Sequence, residues 1–418
     1  MLAILTTHPI QYQVPLWQAL AKDGRVPFEV WYLTSHATRP THDREFGKKF
    51  AWDLDLLAGY PHRFLKVAHG ATPGSFWKCR LREKLRDRLR DAGVSAVWVQ
   101  GWQVAAYWQA VWEAKAAGME VWLRGESNDL APTPWWKFSA KRALLGQLFK
   151  RVDRFLFIGS ANRRLYEKFG VPEEKLFPAP YAVDNERFAA QAAKLRDSAF
   201  AQGYGATGKS VVRSQWSIPE DTYCVLFCGK FIPKKHPMDL VKAAQLLLGS
   251  HPELKIHLLF AGTGELGGAL RAACRVVYDA EASQRSAPDN RELITDNAKP
   301  RASFTGFLNQ TEISQAYVAA DCLVLASDYS ETWGLVVNEA MASGLPSIMS
   351  DRCGCAEDLG RTAASQQTYP FGDIPALALV LTSISTNRPQ AEPMTNFRST
   401  VEQVYQLYAG SKPNEIKL

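Results

Sequence analysis

Two glutamates and two lysines are the residues whose types and spacing could do chemistry. Glu331 ends a polar turn, Ser327-Asp328-Tyr329-Ser330-Glu331-Thr332, and Glu339 follows eight residues later. The run between them, Trp333 to Ser343, carries Leu335, Val336, Ala340 and Met341 at helical spacing. It stops at Gly344 with Pro346 just beyond, as helices end. On such a helix Glu339 lies roughly two turns on and about 80° around from Glu331. The first backbone N–H groups, Trp333 to Val336, have no intrahelical partners and carry partial positive charge, so they attract an anion. An anion beside two carboxylates suits a molecule with both phosphate and hydroxyl groups, and a nucleotide sugar is such a molecule. Lys230 and Lys235 follow the apolar run Cys224 to Cys228 and offer two further cations to a diphosphate.

These side chains need a frame to hold them. Leu323 to Ala326 and Leu345 to Met349 read as buried strands flanking the helix. The result is a strand–helix–strand unit of a parallel sheet, with its loops facing one edge. The first half alternates in the same way. Leu2 to Thr6, Phe28 to Leu33, Ala96 to Val99, Val121 to Leu123 and Phe155 to Ile158 read as strands. Leu16 to Ala21, Val104 to Ala117 and a helix capped by Ser160 and running to Phe169 lie among them. Alternation of this kind specifies doubly wound parallel sheets, whose functional loops follow the strand C-termini.

The spacing of Glu331 and Glu339, set in ETWGLVVNEAMASGLP, closely resembles the donor site of the family 4 glycosyltransferases, retaining enzymes of the GT-B fold. The resemblance implies two Rossmann-like domains facing a central cleft. Residues 1–182 would form the acceptor domain, 183–385 the nucleotide-sugar domain, and 386–418 a C-terminal helix crossing back to the first. It also assigns roles. Glu339 would take the ribose hydroxyls and Glu331 the donor sugar hydroxyls. Lys230, in the place of the family's arginine, and Lys235, with the amides near Trp333, Gly334 and Leu335, would hold the diphosphate. Gly229, Gly262, Gly306 and Phe307 match the nucleotide-side loops. No metal and no cofactor are implied, and a UDP-sugar is expected over a GDP-sugar. The motif matches span about residues 170 to 360; the first domain matches in pattern only.

Three loops in the first half are acceptor or cleft candidates. His8 and Gln11 lie in the first, where relatives carry glycines and this chain has none. Gln100-Gly101-Trp102 forms the second, where relatives commonly carry a histidine. Arg124 and Glu126 lie in the third and either touch an acceptor or pair with each other. Eleven of the thirteen tryptophans precede residue 137; Trp102, Trp135 and Trp136 are candidates to stack on sugars, the others to fill the core. Phe177 to Asn185 is Pro-rich and reads as an interdomain hinge. Gly203 to Ser210, GYGATGKS, fits the Walker A pattern letter for letter. It follows a polar, charged stretch instead of a buried strand, and so lacks what a phosphate cradle requires.

The 418 residues suffice for two large cores, and no apolar run approaches the length of a membrane span. The start reads as a first strand, not a signal peptide. The seven cysteines lack zinc-site spacing and read as free thiols in a reducing cytoplasm. The net charge of +7 is unevenly placed. Lys78 to Arg90 alternates cations with Leu81, Leu85 and Leu89 and reads as an amphipathic basic helix; Lys137 to Arg154 is a second basic stretch. Either such a face is merely solvated over its leucine seam, or it rests on an anionic membrane surface or draws in an anionic acceptor. No nucleic-acid recognition motif is present. These readings converge on a cytoplasmic, metal-independent, retaining hexosyltransferase of polysaccharide or cell-envelope biosynthesis, acting at the inner face of the membrane if the basic stretches touch lipid. It would move a sugar from a nucleoside diphosphate to a glycan or lipid-linked hydroxyl. The alternatives are a GT-B nucleotide-sugar epimerase and a non-catalytic glycan-binding subunit.

Overall fold

The computed structural model describes residues 1–36, 38, 40–43, 47–197, 207–282, 299–360, 365–387 and 389–411. They form two compact units, one of residues 1–41, 54–183 and 395–418 and the other of residues 42–53 and 184–394.

The first unit alternates strand and helix from the start: β1 (Leu2–Thr6), α1 (Val14–Asp23) and β2 (Phe28–Tyr32). The chain then leaves this unit for the strands β3 (Thr41–Asp43) and β4 (Lys48–Phe50), which pair with each other and, from residue 42 on, belong to the second unit. β5 (His62–Phe64), α2 (Leu85–Asp91), β6 (Ala96–Val99), α3 (Ala105–Ala116), β7 (Glu120–Leu123), α4 (Trp135–Phe149), β8 (Arg154–Phe157), α5 (Ser160–Lys168) and β9 (Leu176–Pro178) follow. The seven main strands lie in the order β5-β2-β1-β6-β7-β8-β9, all parallel. Ala3, Leu5, Val97, Val99, Val121 and Leu123 point to one face, under α2 to α5, and the strands are apolar because both faces are covered.

The second unit contains α6 (Asn185–Asp197), α7 (Gly208–Gln215), β10 (Tyr223–Cys228), α8 (Pro237–Ser250), β11 (Ile256–Ala261), α9 (Gly267–Ala273), β12 (Arg275–Asp279) and β13 (Arg301–Gly306). It continues with α10 (Ser314–Ala319), β14 (Cys322–Leu325), α11 (Leu335–Ala342), β15 (Ser347–Ser350), α12 (Ala356–Leu359), β16 (Gln366–Tyr369) and α13 (Ile374–Asn387). Its parallel sheet has the order β12-β13-β11-β10-β14-β15-β16. The last helix, α14 (Phe397–Gly410), packs on α1 in the first unit, where Arg25 bonds Glu402 at 2.9 Å and stacks on Tyr405.

Two local expectations are corrected. Lys78 to Arg90 is not one helix, since only residues 85–91 are helical. Leu81 instead forms a β-bridge with Val67, framed by Ala68 N–H to Arg80 O at 2.9 Å and Arg82 N–H to Lys66 O at 3.0 Å. The four-residue leucine spacing arises because Leu81, Leu85 and Leu89 all enter the same core from two kinds of backbone. Ser160 is the first helical residue of α5 and not its cap, which is Gly159. Most of the polar stretch 279–301 lies outside the described residues, but its ends are the sheet strands β12 and β13.

Candidate active site

In the second unit the chain lays β11, β13 and β12 to one side of β10, then returns to place β14 on the other side. Open α/β sheets bind ligands at the crevice where the winding reverses, outside the strand C-termini. Lys235 follows β10 and Glu331 follows β14, and the lysine ammonium donates a hydrogen bond to Glu331 Oε2 across that crevice. Their side chains are 18% and 15% exposed, so water screens the pair only in part. Ser327 Oγ also donates to Glu331 Oε2, at 3.2 Å, and Asp328 N–H bonds Lys234 O at 3.0 Å, tying the two loops together. Burial alone would push the Lys235 ammonium down, but the adjoining Glu331 carboxylate holds it above the usual lysine range. His236 follows in the left-handed region (φ 47°, ψ 45°), a conformation that costs a non-glycine residue energy and that concentrates at functional sites.

Glu339 lies on the second turn of α11. Tyr317 Oη donates to its Oε2 at 2.5 Å, and Arg187 reaches Gln310 through its carbonyl and its side chain, both at 2.8 Å. Burial raises the Glu339 pKa against the opposing pull of Tyr317, Arg187 and Gln310. The start of α11 is set by Gly334, which caps the helix at φ 110°. A Cβ there would stand 2.6 Å from Leu325 Cδ2, so both the backbone and the space demand glycine. Trp333 is buried, its indole N–H bonded to Asn338 Oδ1 at 2.8 Å. It fixes the turn instead of offering a ring to a ligand.

The glycine loops after β10, β11 and β13 lock edge to edge. Gly229 N–H bonds Ala261 O and Gly262 N–H bonds Gly306 O, each at 2.9 Å. A Cβ on Gly262 would meet Gly229 O at 1.9 Å, so this glycine is required by the neighbouring backbone itself. Lys230 is half-buried in the first of these loops. Phe307 stacks against Phe50 with ring centroids 4.4 Å apart, and Trp52 lies beside both. Asn309 Nδ2 bonds Ala51 O at 2.8 Å and Thr311 N–H bonds Asp53 at 2.9 Å, so residues 50–53 are stitched along the loop after β13.

In the first unit the winding reverses between β1 and β6. His8, after β1, packs edge-on against His36 and accepts or donates at Thr7 Oγ1, 2.9 Å away. Burial, then His36, lowers its pKa to about 4, so it is neutral at pH 7. Gln11 is half-buried in the same loop. The Arg124–Glu126 pair does not form. Glu126 accepts from Tyr12 Oη at 3.2 Å and from Gln13 Nε2 at 3.1 Å, while buried Arg124 stacks over the Tyr181 ring at 4.7 Å. Among the described residues Arg124 has no ion-pair partner, its Nε has no acceptor, and neither amide atom of buried Gln100 is bonded. Gln100 and Arg124 stand side by side, since Arg124 N–H bonds Val99 O. Trp102 packs against Gly125, Phe149 and Tyr166 as core. Trp135 and Trp136 are exposed.

Sequence reasoning missed Phe50, Trp52, Tyr317, Gln310 and Arg187. All lie far along the chain from the residues they touch, and none sits in a spaced motif. The unpaired amide of Gln100 was likewise invisible beside the larger Trp102. The Walker-like stretch has a structural explanation: residues 203–206 lie outside the described residues, and α7 is preceded by the helix α6. Lys209 pairs with Asp321 at 2.6 Å and bonds Ala320 O at 3.0 Å. Arg213 holds the other oxygen of Asp321 at 2.7 Å. Burial would raise the Asp321 pKa, but the two cations keep it below the usual range. The lysine is committed to holding the helix against the sheet.

Residues 209–399 match the family model described as glycosyl transferases group 1. The D-inositol 3-phosphate glycosyltransferase of Thermomonospora curvata is 26% identical over 260 residues, 60% of this chain and 55% of that protein. The chain thus spans about half the length of this curated relative. Among solved structures, a glycosyltransferase from Rickettsia africae aligns over 99% of both chains with a TM-score of 0.64 at 12% identity. Anabaena HepE in complex with UDP and glucose aligns over 98% of both at 0.57 and 14%. The two parallel-sheet Rossmann-like domains are those of the GT-B fold, and the comparisons support a glycosyltransferase.

Proposed function

We propose that this chain is a retaining, metal-independent hexosyltransferase that moves a sugar from a UDP-sugar to a hydroxyl of a glycan or lipid-linked acceptor. The observation that carries the reading is the Lys235–Glu331 pair lying across the winding reversal of the second sheet, with half-buried Glu339 on α11, the helix that follows the Glu331 turn. A sugar diphosphate needs a cation for its phosphates and carboxylates for its hydroxyls, and this crevice presents both. Lys235 and Lys230, with the N–H groups around Gly334 and Leu335, bind the diphosphate. As the glycosidic bond breaks, charge grows on the leaving phosphate, so these contacts strengthen where they accelerate the reaction. Glu331 then orients the donor sugar, Glu339 the ribose, and the loops of Gly229, Gly262, Gly306 and Phe307 the nucleotide. His8, Gln11, Arg124 and Glu126 are the acceptor-side contacts, with buried Arg124 suited to an acceptor that carries a negative charge.

A phosphate-bearing acceptor and a UDP donor are supported by two of these proteins: one relative is a D-inositol 3-phosphate glycosyltransferase, and one neighbour was solved with UDP and glucose. Polysaccharide or cell-envelope biosynthesis at the inner face of a membrane is the setting in which such an enzyme meets a lipid-linked acceptor. Among the described residues no helix is long and apolar enough to cross a membrane. The test is thermal stabilisation by UDP, GDP, ADP, CMP and ATP. Saturation at a hundred times Kd adds about 2.7 kcal/mol of stability. A shift with UDP that disappears in Glu339→Ala supports the donor site; no shift with any nucleoside diphosphate overturns it. NMR of the product anomer then tests retention.

A further inference from the structure

We infer that residues 50–53 complete the nucleobase side of the donor site, with Trp52 as the ring on which the base of the nucleoside diphosphate stacks. The inference rests on the donor reading above and adds to it a side chain supplied from the first half of the sequence. Residues 42–53 belong to the second unit, although the residues before and after them belong to the first. Ordering such an excursion costs conformational entropy, and Phe50, Ala51 and Trp52, each only half-buried, offset it in part.

A series of contacts leads from the diphosphate crevice to this segment. Glu339 lies on α11, the helix after the Glu331 turn, and the Gln310 side chain hydrogen-bonds its carboxylate. Gln310 is fixed in turn by Arg187, which reaches its carbonyl and its side chain, both at 2.8 Å. On either side of Gln310, Asn309 Nδ2 bonds Ala51 O at 2.8 Å and Thr311 N–H bonds Asp53 Oδ2 at 2.9 Å. Phosphate, ribose and base follow one another in a nucleoside diphosphate. With the phosphates at Lys235 and the ribose at Glu339, the base comes to the loop that carries Gln310, and residues 50–53 wall that loop. Three rings stand there. Phe50 and Phe307 pack with centroids 4.4 Å apart, and Trp52 meets Phe50 edge to face at 5.1 Å and Phe307 at a tilt at 6.3 Å. Phe50 and Phe307 thus occupy each other, whereas among the described residues no ring stacks on the Trp52 indole. Of the second unit's three tryptophans, Trp216 and Trp333 are buried and Trp52 alone is half-buried. An open indole face suits a base, and such stacking tolerates any base because each has a π face. The Asn309 and Gln310 side chains are already engaged within the protein, so this wall gives affinity for a nucleoside as a class and not the choice among bases.

The experiment is calorimetry on the full chain with UDP and with inorganic pyrophosphate, which has the two phosphates and no base. Trp52→Leu keeps an apolar side chain beside Phe50 and Phe307 and removes the π face. It should weaken UDP binding by roughly fivefold to a hundred-and-fiftyfold, the range of one base–aromatic stack, and leave pyrophosphate binding unchanged. Trp52→Phe should recover most of the UDP affinity. UDP should also quench part of the tryptophan emission of the unmodified chain, and that part should be missing in Trp52→Phe. Unchanged UDP binding in Trp52→Leu overturns the inference. Equal losses for UDP and pyrophosphate overturn it as well, because they show that the segment merely supports the loop. Should Trp52→Leu fail to fold, Trp52→Phe decides: a UDP quench kept in full by that variant overturns the inference. An unmodified chain that binds neither UDP nor pyrophosphate overturns the donor reading and this inference with it, whereas UDP binding indifferent to Trp52 overturns this inference alone.

Discussion

Replacing Lys235 by alanine separates the two roles this side chain holds. An exposed ion pair is worth about 0.2–1 kcal/mol, and breaking a buried one costs about 3–5 kcal/mol. With side chains 18% and 15% exposed, the Lys235–Glu331 pair falls between, so Lys235→Ala should cost about 2 kcal/mol of folding stability. The catalytic cost is separate. One lost charge-assisted contact to the departing phosphate, about 1.5–3 kcal/mol, lowers kcat/KM by roughly tenfold to a hundred-and-fiftyfold. The assay is initial rate of UDP release at saturating acceptor, alongside urea unfolding of the same preparations. Adding Glu331→Ala discriminates the roles: it should restore much of the stability, because no carboxylate is left unpaired, and should not restore turnover. If the double variant regains the rate, Lys235 serves only to neutralise Glu331 and the diphosphate assignment is wrong. Turnover of Lys235→Ala within about threefold of wild type would refute it as well. The pair also fixes a pH dependence. The folded pKa of Lys235 is raised, so its contribution is full below the ordinary lysine value and fades only as pH climbs through the folded value.

Glu339→Gln should weaken UDP binding by roughly tenfold in calorimetry, while inorganic phosphate, which has no ribose, binds as before. Lys209→Ala should lower the melting temperature by several degrees, because Asp321 loses one of its two cations, yet leave kcat unchanged and reveal no ATP hydrolysis to lose. ATPase activity dependent on Lys209 would reverse that reading. Buried His257 has its pKa lowered to about 4, by burial first and then Arg213 and Arg301. The unfolded chain therefore binds its proton between about pH 6.5 and 4 while the folded chain does not, so stability should fall as pH is lowered through that window. Comparing the pH slope of the melting temperature with that of His257→Asn isolates this group; equal slopes would show that other groups carry the effect.

The parallel architecture was legible because its central strands are apolar runs closed by turns, and Ala96 to Val99 could be bounded to the residue; the edge strands β5 (HRF), β12 (RVVYD) and β16 (QQTY) offer no such run. The helix α11 was legible from its apolar spacing, but it starts at Leu335 and not at Trp333, because Gly334 caps it at φ 110°; Glu331 therefore stands in the preceding turn and only Glu339 on the helix. Where contacts cross the chain, periodicity carries no information. The Leu81 bridge imitated a helical repeat because a strand and a helix both delivered leucines to one core. The Glu126 partners proved to be Tyr12 and Gln13, more than a hundred residues away, although Arg124 stood two positions off. Arg124 and Glu126, like any two residues apart by two near a strand end, need not meet, and only the fold decides which distant hydroxyl takes the carboxylate.

The stitching of residues 50–53 along the loop after β13 governs how this gene can be dissected. A coding fragment opening at residue 184 keeps every strand of the second sheet. It discards Phe50, Trp52, the carbonyl of Ala51 and the carboxylate of Asp53, which together shield Phe307 and satisfy Asn309 and Thr311. Such a polypeptide would enter water with a bare aromatic ring and two orphaned amides at the rim where the nucleotide is expected. Poor solubility and a weak nucleotide signal from it would then measure the missing dozen residues, not the capacity of the fold. A peptide covering residues 42–53 supplied in trans, or those residues joined by a short glycine linker ahead of 184, is the repair the geometry prescribes.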